Sequence, residues 1–325
     1  MSLFSCMLFV FVAENGLHGQ EIVITPASQL SEVDEDNEIV IIRNEKKYPT
    51  HINFVSKASG EICKSIDVAK SCPFEQLPFP VIRDPFFSKK ISDVLHFKKY
   101  NLENIDYKTI VNTLLPNVKD AFLRPCKPYT TKTYYSVFTS KNKETVILNY
   151  GISLYGEGGG VVAGSNHIYK YNKKGELLLS IENMNESVGG KQLTEDGRYL
   201  AYRHGGFGGP HGDCVVGGSS PYGLKIIDTY TGEIIARENM AGKNPSDTRL
   251  IEKMFVLTNG LRDRSYEYIF YNFEKNKRYA KTYSFEERWH LKDITAEGML
   301  FYDMADTSKR KMYWYEKDFI QKPIK

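Results

Sequence analysis

Leu193-Thr194-Glu195-Asp196-Gly197 runs into Arg198-Tyr199-Leu200-Ala201-Tyr202, and the same register returns twice further along the chain. Leu250-Ile251-Glu252-Lys253-Met254 leads into Phe255-Val256-Leu257, and Ile294-Thr295-Ala296-Glu297-Gly298 leads into Met299-Leu300-Phe301-Tyr302. Each time a polar turn feeds a short run of apolar and aromatic residues of the kind that fits a pleated, half-buried surface. A second strand-turn-strand signal follows each run, at Ile227-Asp228-Thr229-Tyr230-Thr231-Gly232-Glu233, Tyr271-Asn272-Phe273-Glu274-Lys275-Asn276 and Tyr315-Glu316-Lys317-Asp318. Ile294 lies 44 residues after Leu250, and Leu250 lies 57 residues after Leu193.

A two-hairpin unit recurring every 40–45 residues or so implies an all-β chain built as a β-propeller. A length of 325 residues suits one such domain, because a propeller grows by adding blades rather than by thickening one core. The 22 tyrosines and 18 phenylalanines suit half-buried strands. Earlier in the chain, Ser59-Gly60-Glu61-Ile62 matches Thr231-Gly232-Glu233-Ile234 in type and position and marks an early blade. Strand patterning is also clear at Thr133-Tyr134-Tyr135-Ser136-Val137-Phe138 and Thr145-Val146-Ile147-Leu148. Hairpins at Gly60, Gly175, Gly232, Asn276 and Lys317, with 115 residues between the first two, lead to an expected six or seven blades in one domain over residues 20–325. The repeat is lost at residues 73–128. There Pro73, Pro78, Pro80 and Pro85 forbid a central strand, while Leu102, Ile105, Ile110, Leu114, Val118 and Ala121 fall near helical spacing. A small irregular or helical insert is expected.

The stretch Leu193–Tyr202 resembles the opening "DG, aromatic, aliphatic" strand of WD-repeat-like and YVTN-type propeller blades, and Asp228-Thr229-Tyr230-Thr231-Gly232-Glu233 is similar to their outer hairpin. The resemblance covers residues 145–320 and, by a single hairpin, 37–68. No Gly-His opens a repeat and no Trp-Asp closes one, which sets the chain apart from WD-repeat scaffolds. The likeness implies a fold and no particular activity, since propellers host enzymes and binding platforms alike.

The apolar run Leu3-Phe4-Ser5-Cys6-Met7-Leu8-Phe9-Val10-Phe11-Val12 is too short to span a bilayer as a helix, which takes about 20 residues. It fits the core of a secretory signal over residues 1–19, although no Lys or Arg precedes Arg43. The expected location is therefore outside the cytoplasm, secreted or in the periplasm and cell envelope. In that setting Cys63, Cys72, Cys126 and Cys214 could form two disulfides, with Cys63–Cys72 the favoured pair. The 43 basic and 40 acidic residues nearly cancel, to +3, and the densest basic cluster, Lys309-Arg310-Lys311, reads as a solvated turn. Nucleic acid is accordingly not an expected partner, and a monomer is.

Candidate chemistry concentrates in two glycine-rich segments, 155–164 and 203–220. Residues 156–164 and 205–218 hold 12 of the 25 glycines. The second segment accounts for the long repeat: Gly197 to Gly232 is 35 residues, against 22 from Met254 to Asn276. Both fall at a similar strand boundary, so the two loops are expected to meet on a ligand face where backbone N–H groups can come close to a bound molecule. His167, Arg203, His204, His211, Asp213 and Tyr222 are the expected ligand contacts. The function read from this is an exported binding or protein-interaction module for a small-molecule, glycan or protein ligand. The alternative is a propeller hydrolase or lyase using His204, His211 and Asp213, with or without a metal. No phosphate-loop, dinucleotide, zinc or serine-hydrolase motif accompanies these residues, so the pattern names no cofactor.

Overall fold

The computed structural model describes residues 21–25, 30, 37–45, 47–76, 82–83, 98–101, 130–155, 161–184, 186–206, 223–239, 244–251, 254–261, 265–284 and 289–324. The apolar run near the start of the chain lies outside these residues, as do most of 73–128 and the tips of both glycine-rich segments. Among the described residues no helix is long and apolar enough to cross a membrane.

The strands group into two compact units. The first holds β1 (Glu21–Ile24), β2 (Asn37–Arg43), β3 (Pro49–Ser56), β4 (Ile62–Asp67), β5 (Ile82–Arg83), β6 (Lys98–Asn101), β7 (Thr130–Thr139), β8 (Thr145–Tyr155), β9 (Val161–Asn172) and β10 (Leu177–Met184). Strands β7 to β10 form an antiparallel meander, extended by β1 beyond β10 and by β6 and β5 beyond β7. The expected insert thus contributes two strands to a sheet. Ile82-Arg83, between Pro80 and Pro85, takes the outermost place, where a missing proline donor leaves no gap in a ladder. A 3₁₀ turn, Pro73–Gln76, precedes it, and the residues of helical spacing lie outside the described set. Strands β2, β3 and β4 form a separate sheet. Its Phe54 ring meets Tyr171 of β9 at 6.4 Å, and the Tyr150 hydroxyl donates to the Val68 carbonyl at 2.7 Å. Cys63 is a free thiol on the exposed side of edge strand β4, whereas Cys72 is buried. The expected disulfide between them is not formed: Cys63 lies on the wholly exposed stretch 62–65 of β4, and Cys72 lies in the interior.

The second unit holds β11 (Glu186–Leu193), β12 (Tyr199–Gly206), β13 (Gly223–Asp228) and β14 (Ile234–Asn239); β15 (Asn244–Ile251), β16 (Met254–Gly260), β17 (Ser265–Asn272) and β18 (Lys277–Ser284); and β19 (Trp289–Ile294), β20 (Gly298–Asp303), β21 (Arg310–Trp314) and β22 (Ile320–Pro323). The first eight make two four-stranded meanders and β19 to β21 a three-stranded one. The middle sheet is buried on both faces, which explains the unbroken burial of Met254–Asn259. On one face Met254, Val256, Tyr268 and Phe270 pack with Ile294, Met299, Phe301 and Tyr313 of the third sheet. On the other, Phe255, Leu257, Ile269 and Tyr271 pack with Ala201, Leu224 and Ile226 of the first. Each such side chain removed from water contributes about 1.5–3 kcal/mol. Meanders of four strands stacked face to face in chain order are the construction of propeller blades, and the fold is propeller-like.

The last expected hairpin is built differently. Tyr315–Asp318 forms a single helical turn, α1, and β22 then leaves β21 and pairs with β18. The Glu316 carboxylate anchors the turn, accepting from Lys277 Nζ at 2.6 Å, Tyr279 Oη at 2.6 Å and Lys275 Nζ at 3.3 Å. Those hydrogen bonds, from Lys277 first, hold its carboxyl down to about 2.

The turns set the register. Thr194 Oγ1 donates to Asp196 Oδ1 at 2.6 Å and accepts from Tyr199 N at 2.9 Å, while Arg198 N donates to Asp196 Oδ1 at 3.0 Å. Gly197 between them has φ of 73°. The same lock stands between β7 and β8. Ser140 Oγ donates to Asn142 Oδ1 and accepts from Thr145 N, Glu144 N donates to Asn142 Oδ1, and Lys143 takes φ of 58°. Ser140-Lys141-Asn142-Lys143-Glu144-Thr145 is therefore a further copy of the repeat, 54 residues before Thr194. It is hidden because Lys stands where its counterpart has Gly. A lysine in the left-handed region carries a cost that glycine avoids. Lys143→Gly is expected to raise stability by about 0.5–1 kcal/mol and Gly197→Ala to lower it by about 1–2 kcal/mol, read from urea unfolding midpoints.

Candidate functional site

In each four-stranded meander the second and third strands are joined at the same end of the sheet. β8 meets β9 across residues 156–160, β12 meets β13 across 207–222, and β16 meets β17 across 261–264. Both glycine-rich segments thus occupy the equivalent connection of their own sheets, as their spacing suggests. His211, Asp213 and Tyr222 lie outside the described residues; His167, Arg203 and His204 lie inside.

In the first unit His167 sits on β9 opposite Tyr150 and is 7% exposed. The edge of its ring meets Phe74 with centroids 4.9 Å apart. Tyr169 Oη donates to Glu182 Oε1 at 3.0 Å and lies 3.3 Å from His167 Nδ1. With its one proton committed to the carboxylate, the phenol can only accept there, so His167 carries its hydrogen on Nδ1. Burial pushes the imidazole pKa down, and Glu182 offsets part of that. The ring is neutral at pH 7 and locked into a Glu182–Tyr169–His167 chain. Nearby Ser165, two residues back on the same face, is 1% exposed, and its Oγ has no hydrogen-bond partner among the described residues.

In the second unit His204 closes the base of the long loop. It lies opposite Gly223, and a Cβ added to Gly223 would stand 2.5 Å from the Glu238 carbonyl oxygen and nearer still to His204 Nε2. The imidazole fills the room that the glycine leaves. Arg203, half-buried, falls on the strand face shared by Ala201 and Leu224, which packs toward the middle sheet. Among the described residues its guanidinium makes no ion pair.

On the facing side of the middle sheet, alternation puts Asn259 and Glu267 in line with Leu257 and Ile269. Asn259 is fully buried; its Nδ2 donates to Glu267 Oε2 at 3.1 Å, and its Oδ1 has no partner among the described residues. Turning the amide over would set two acceptors against each other, so the orphan atom is the oxygen. A buried acceptor left unmatched costs about 1–3 kcal/mol. Sequence reasoning missed this pair, because the signal is cross-strand register and not residue spacing. Farther along the same interface Glu238 accepts from Tyr271 Oη and Arg278 Nε, joining the two sheets. Within the second unit, Arg203 on β12 offers a cation and Asn259 on β16 an acceptor. Among the described residues no three of His, Cys, Asp and Glu converge on a metal site.

No protein-family model matches the chain, and no curated protein sequence does. Among solved structures it is similar to the dihydro-heme d1 dehydrogenase NirN in complex with DHE, at 9% identity and a TM-score of 0.38, over 92% of this chain and 47% of that one. The chain thus spans about half the length of the dehydrogenase. It is also similar to a polysaccharide lyase of family PL25, an ulvan lyase, at 10% identity and a TM-score of 0.30 over 93% of this chain and 77% of that one. A third likeness is to the β-propeller domain of Myceliophteria thermophila Cps50 (Swd1), at 10% identity and a TM-score of 0.24 over 59% and 82% of the two chains. These likenesses are partial, and the propeller-like character of the chain rests on its own stacked meanders.

Because the obstacle above Gly223 includes backbone as well as the His204 ring, Gly223→Ala is expected to lower stability by about 1–3 kcal/mol in urea unfolding. Adding His204→Ala should recover only part of that loss.

Proposed function

We propose that the protein is an exported, non-catalytic binding module. Its ligand end is the one where second and third strands join, with the glycine-rich segments 155–164 and 203–220 completing it. The observation that carries this reading is Asn259, fully buried and fixed by Glu267 with its oxygen unused. Native interiors satisfy such atoms, and a ligand donating to Asn259 Oδ1 would satisfy this one. A ligand that donates to Asn259 and accepts from Arg203 is best supplied by a hydroxyl-bearing small molecule or glycan. The proposal includes a single propeller of six or seven blades, of which the five described sheets would be members. Export rests on the apolar run Leu3–Val12.

Thermal-shift measurements against a panel of mono- and oligosaccharides, polyols and short peptides test this. A ligand present at a hundred times its Kd stabilises the native state by about 2.7 kcal/mol. The expected result is a stabilising sugar or polyol whose shift disappears in Asn259→Leu and in Arg203→Gln. A shift of equal size in both variants would overturn the assignment of this end. Turnover of a bound glycan would overturn the non-catalytic reading.

A further inference from the structure

In the first unit the chain leaves β4 at Asp67 and crosses the face of β8 and β9 as a strap, residues 68–76, that ends in the 3₁₀ turn Pro73–Gln76. Its side chains divide by side: Val68, Cys72 and Phe74 are buried, while Lys70, Ser71 and Pro73 are exposed. It is held to the sheet near both ends. The Val68 carbonyl accepts from Tyr150 Oη at 2.7 Å, and the Phe74 ring sits against His167 with centroids 4.9 Å apart. The first contact is insensitive to pH near neutrality, because burial pushes the phenol pKa further up. The second rests on a ring that can take up a proton.

The docked arrangement fits only the neutral imidazole. His167 spends its Nδ1 hydrogen on Tyr169 Oη, and the Tyr169 proton goes to Glu182 Oε1, which also accepts from Ser180 Oγ at 3.1 Å. A second proton would stand on Nε2, and among the described residues that atom has no acceptor. The groups facing the ring are Phe74 from the strap, Tyr150 from β8, and Tyr169 from β9 with Glu182 of β10 behind it; the Cys72 thiol lies by the Tyr150 and Tyr169 phenols. Glu182 is the one carboxylate among them, and it reaches the ring through the Tyr169 hydroxyl. Lys70 and Asp67 pair with each other at the outer turn, at 3.4 Å. A buried imidazolium with an unmatched donor is costly, and lifting the strap removes that cost by admitting water. Burial holds the docked ring below its ordinary pKa, with Glu182 offsetting part of the effect, so the undocked state binds more protons. Docking is therefore fully present above about pH 6.5, the ordinary imidazole value, and weakens as pH falls below it.

We propose that residues 68–76 are an acid-released strap: protonation of His167 frees Phe74 and Cys72 from the face of β8 and β9 and leaves the sheet beneath folded. The device is independent of the binding end proposed above and stands or falls apart from it.

Thiol labelling of the full chain with dithiodipyridine at pH 7.5 and pH 5.5, each cysteine resolved by peptide mass, tests the proposal. Cys63 is exposed whether or not the strap is docked, so the ratio of Cys72 to Cys63 labelling rates cancels most of the dependence of thiol chemistry on pH. One linked proton with an undocked pKa of about 6.5 raises that ratio by up to about tenfold at pH 5.5. A rise of several-fold is expected, with the far-UV circular dichroism of the sheets unchanged. His167→Gln and His167→Phe, neither of which takes up a proton, should give the same ratio at both pH values. Phe74→Ala, which removes the contact with the ring, should raise the ratio already at pH 7.5. The proposal is overturned if the parent's ratio does not change with pH, if the rise comes only with loss of the β signal, if the folded His167 variants keep the parent's rise, or if Phe74→Ala leaves Cys72 as protected as before.

Discussion

Two sheets of this protein, β7 to β10 and β11 to β14, are registered by a small hydrogen-bonded lock at the turn between first and second strands. A buried Ser or Thr hydroxyl donates to an Asp or Asn two residues on and accepts from the amide that starts the next strand. That arrangement decides which residue of the second strand faces which of the first. Because side chains alternate with a period of two, a slip of one residue would turn every side chain of the hairpin to the opposite face. In the sheet of β11 to β14 the lock sends Leu200 and Tyr202 to one face and Ala201 to the other, all three buried. The interface with the middle sheet, through Leu224 and Ile226, follows from that choice.

Stacking then does what pairing alone cannot. A four-stranded meander buries one face at most against its own loops, whereas the middle sheet of the second unit has a partner on each side. Met254 and Val256 look one way, Phe255 and Leu257 the other. The polar ends of the strands are where this packing stops, and Asn259, whose Oδ1 has no partner among the described residues, lies at one of them, toward the joined second and third strands. Structure and candidate function meet at the same boundary between apolar interior and water.

Much of this was legible in the sequence. The hairpins at Gly60, Gly175, Gly232 and Asn276 all have the positive φ that their turn chemistry calls for, and the repeated openings all lie on turns between antiparallel strands. What escaped did so for physical reasons. Lys143 hides a copy of the lock because tertiary structure holds a lysine where glycine is expected. Tyr315–Asp318 reads as a strand turn but winds into a helical one, since Glu316 gathers two lysines and a tyrosine around it. Ile82-Arg83 and Lys98–Asn101 carry too little pattern for strands; Lys98–Asn101 is recruited by β7, and Ile82-Arg83 pairs with it in turn as the edge of the sheet. The glycine-rich segments fall at equivalent connections of their own sheets, β8 to β9 and β12 to β13. His167 and His204, chosen by residue type, are found packed against Phe74 and Gly223. Asn259 gave no signal at all, because an unmatched atom appears only after register and burial are known.

The most direct test of the turn lock as the source of register is amide hydrogen exchange in Thr194→Val, a change of nearly equal volume that removes only the hydroxyl. If the lock sets register, protection should fall along the whole β11–β12 pair and along β13, which pairs with β12 from Tyr199 to His204. Loss confined to the amides of Arg198 and Tyr199, with the rest of the sheet protected as before, would show that register is held by core packing and would contradict the account.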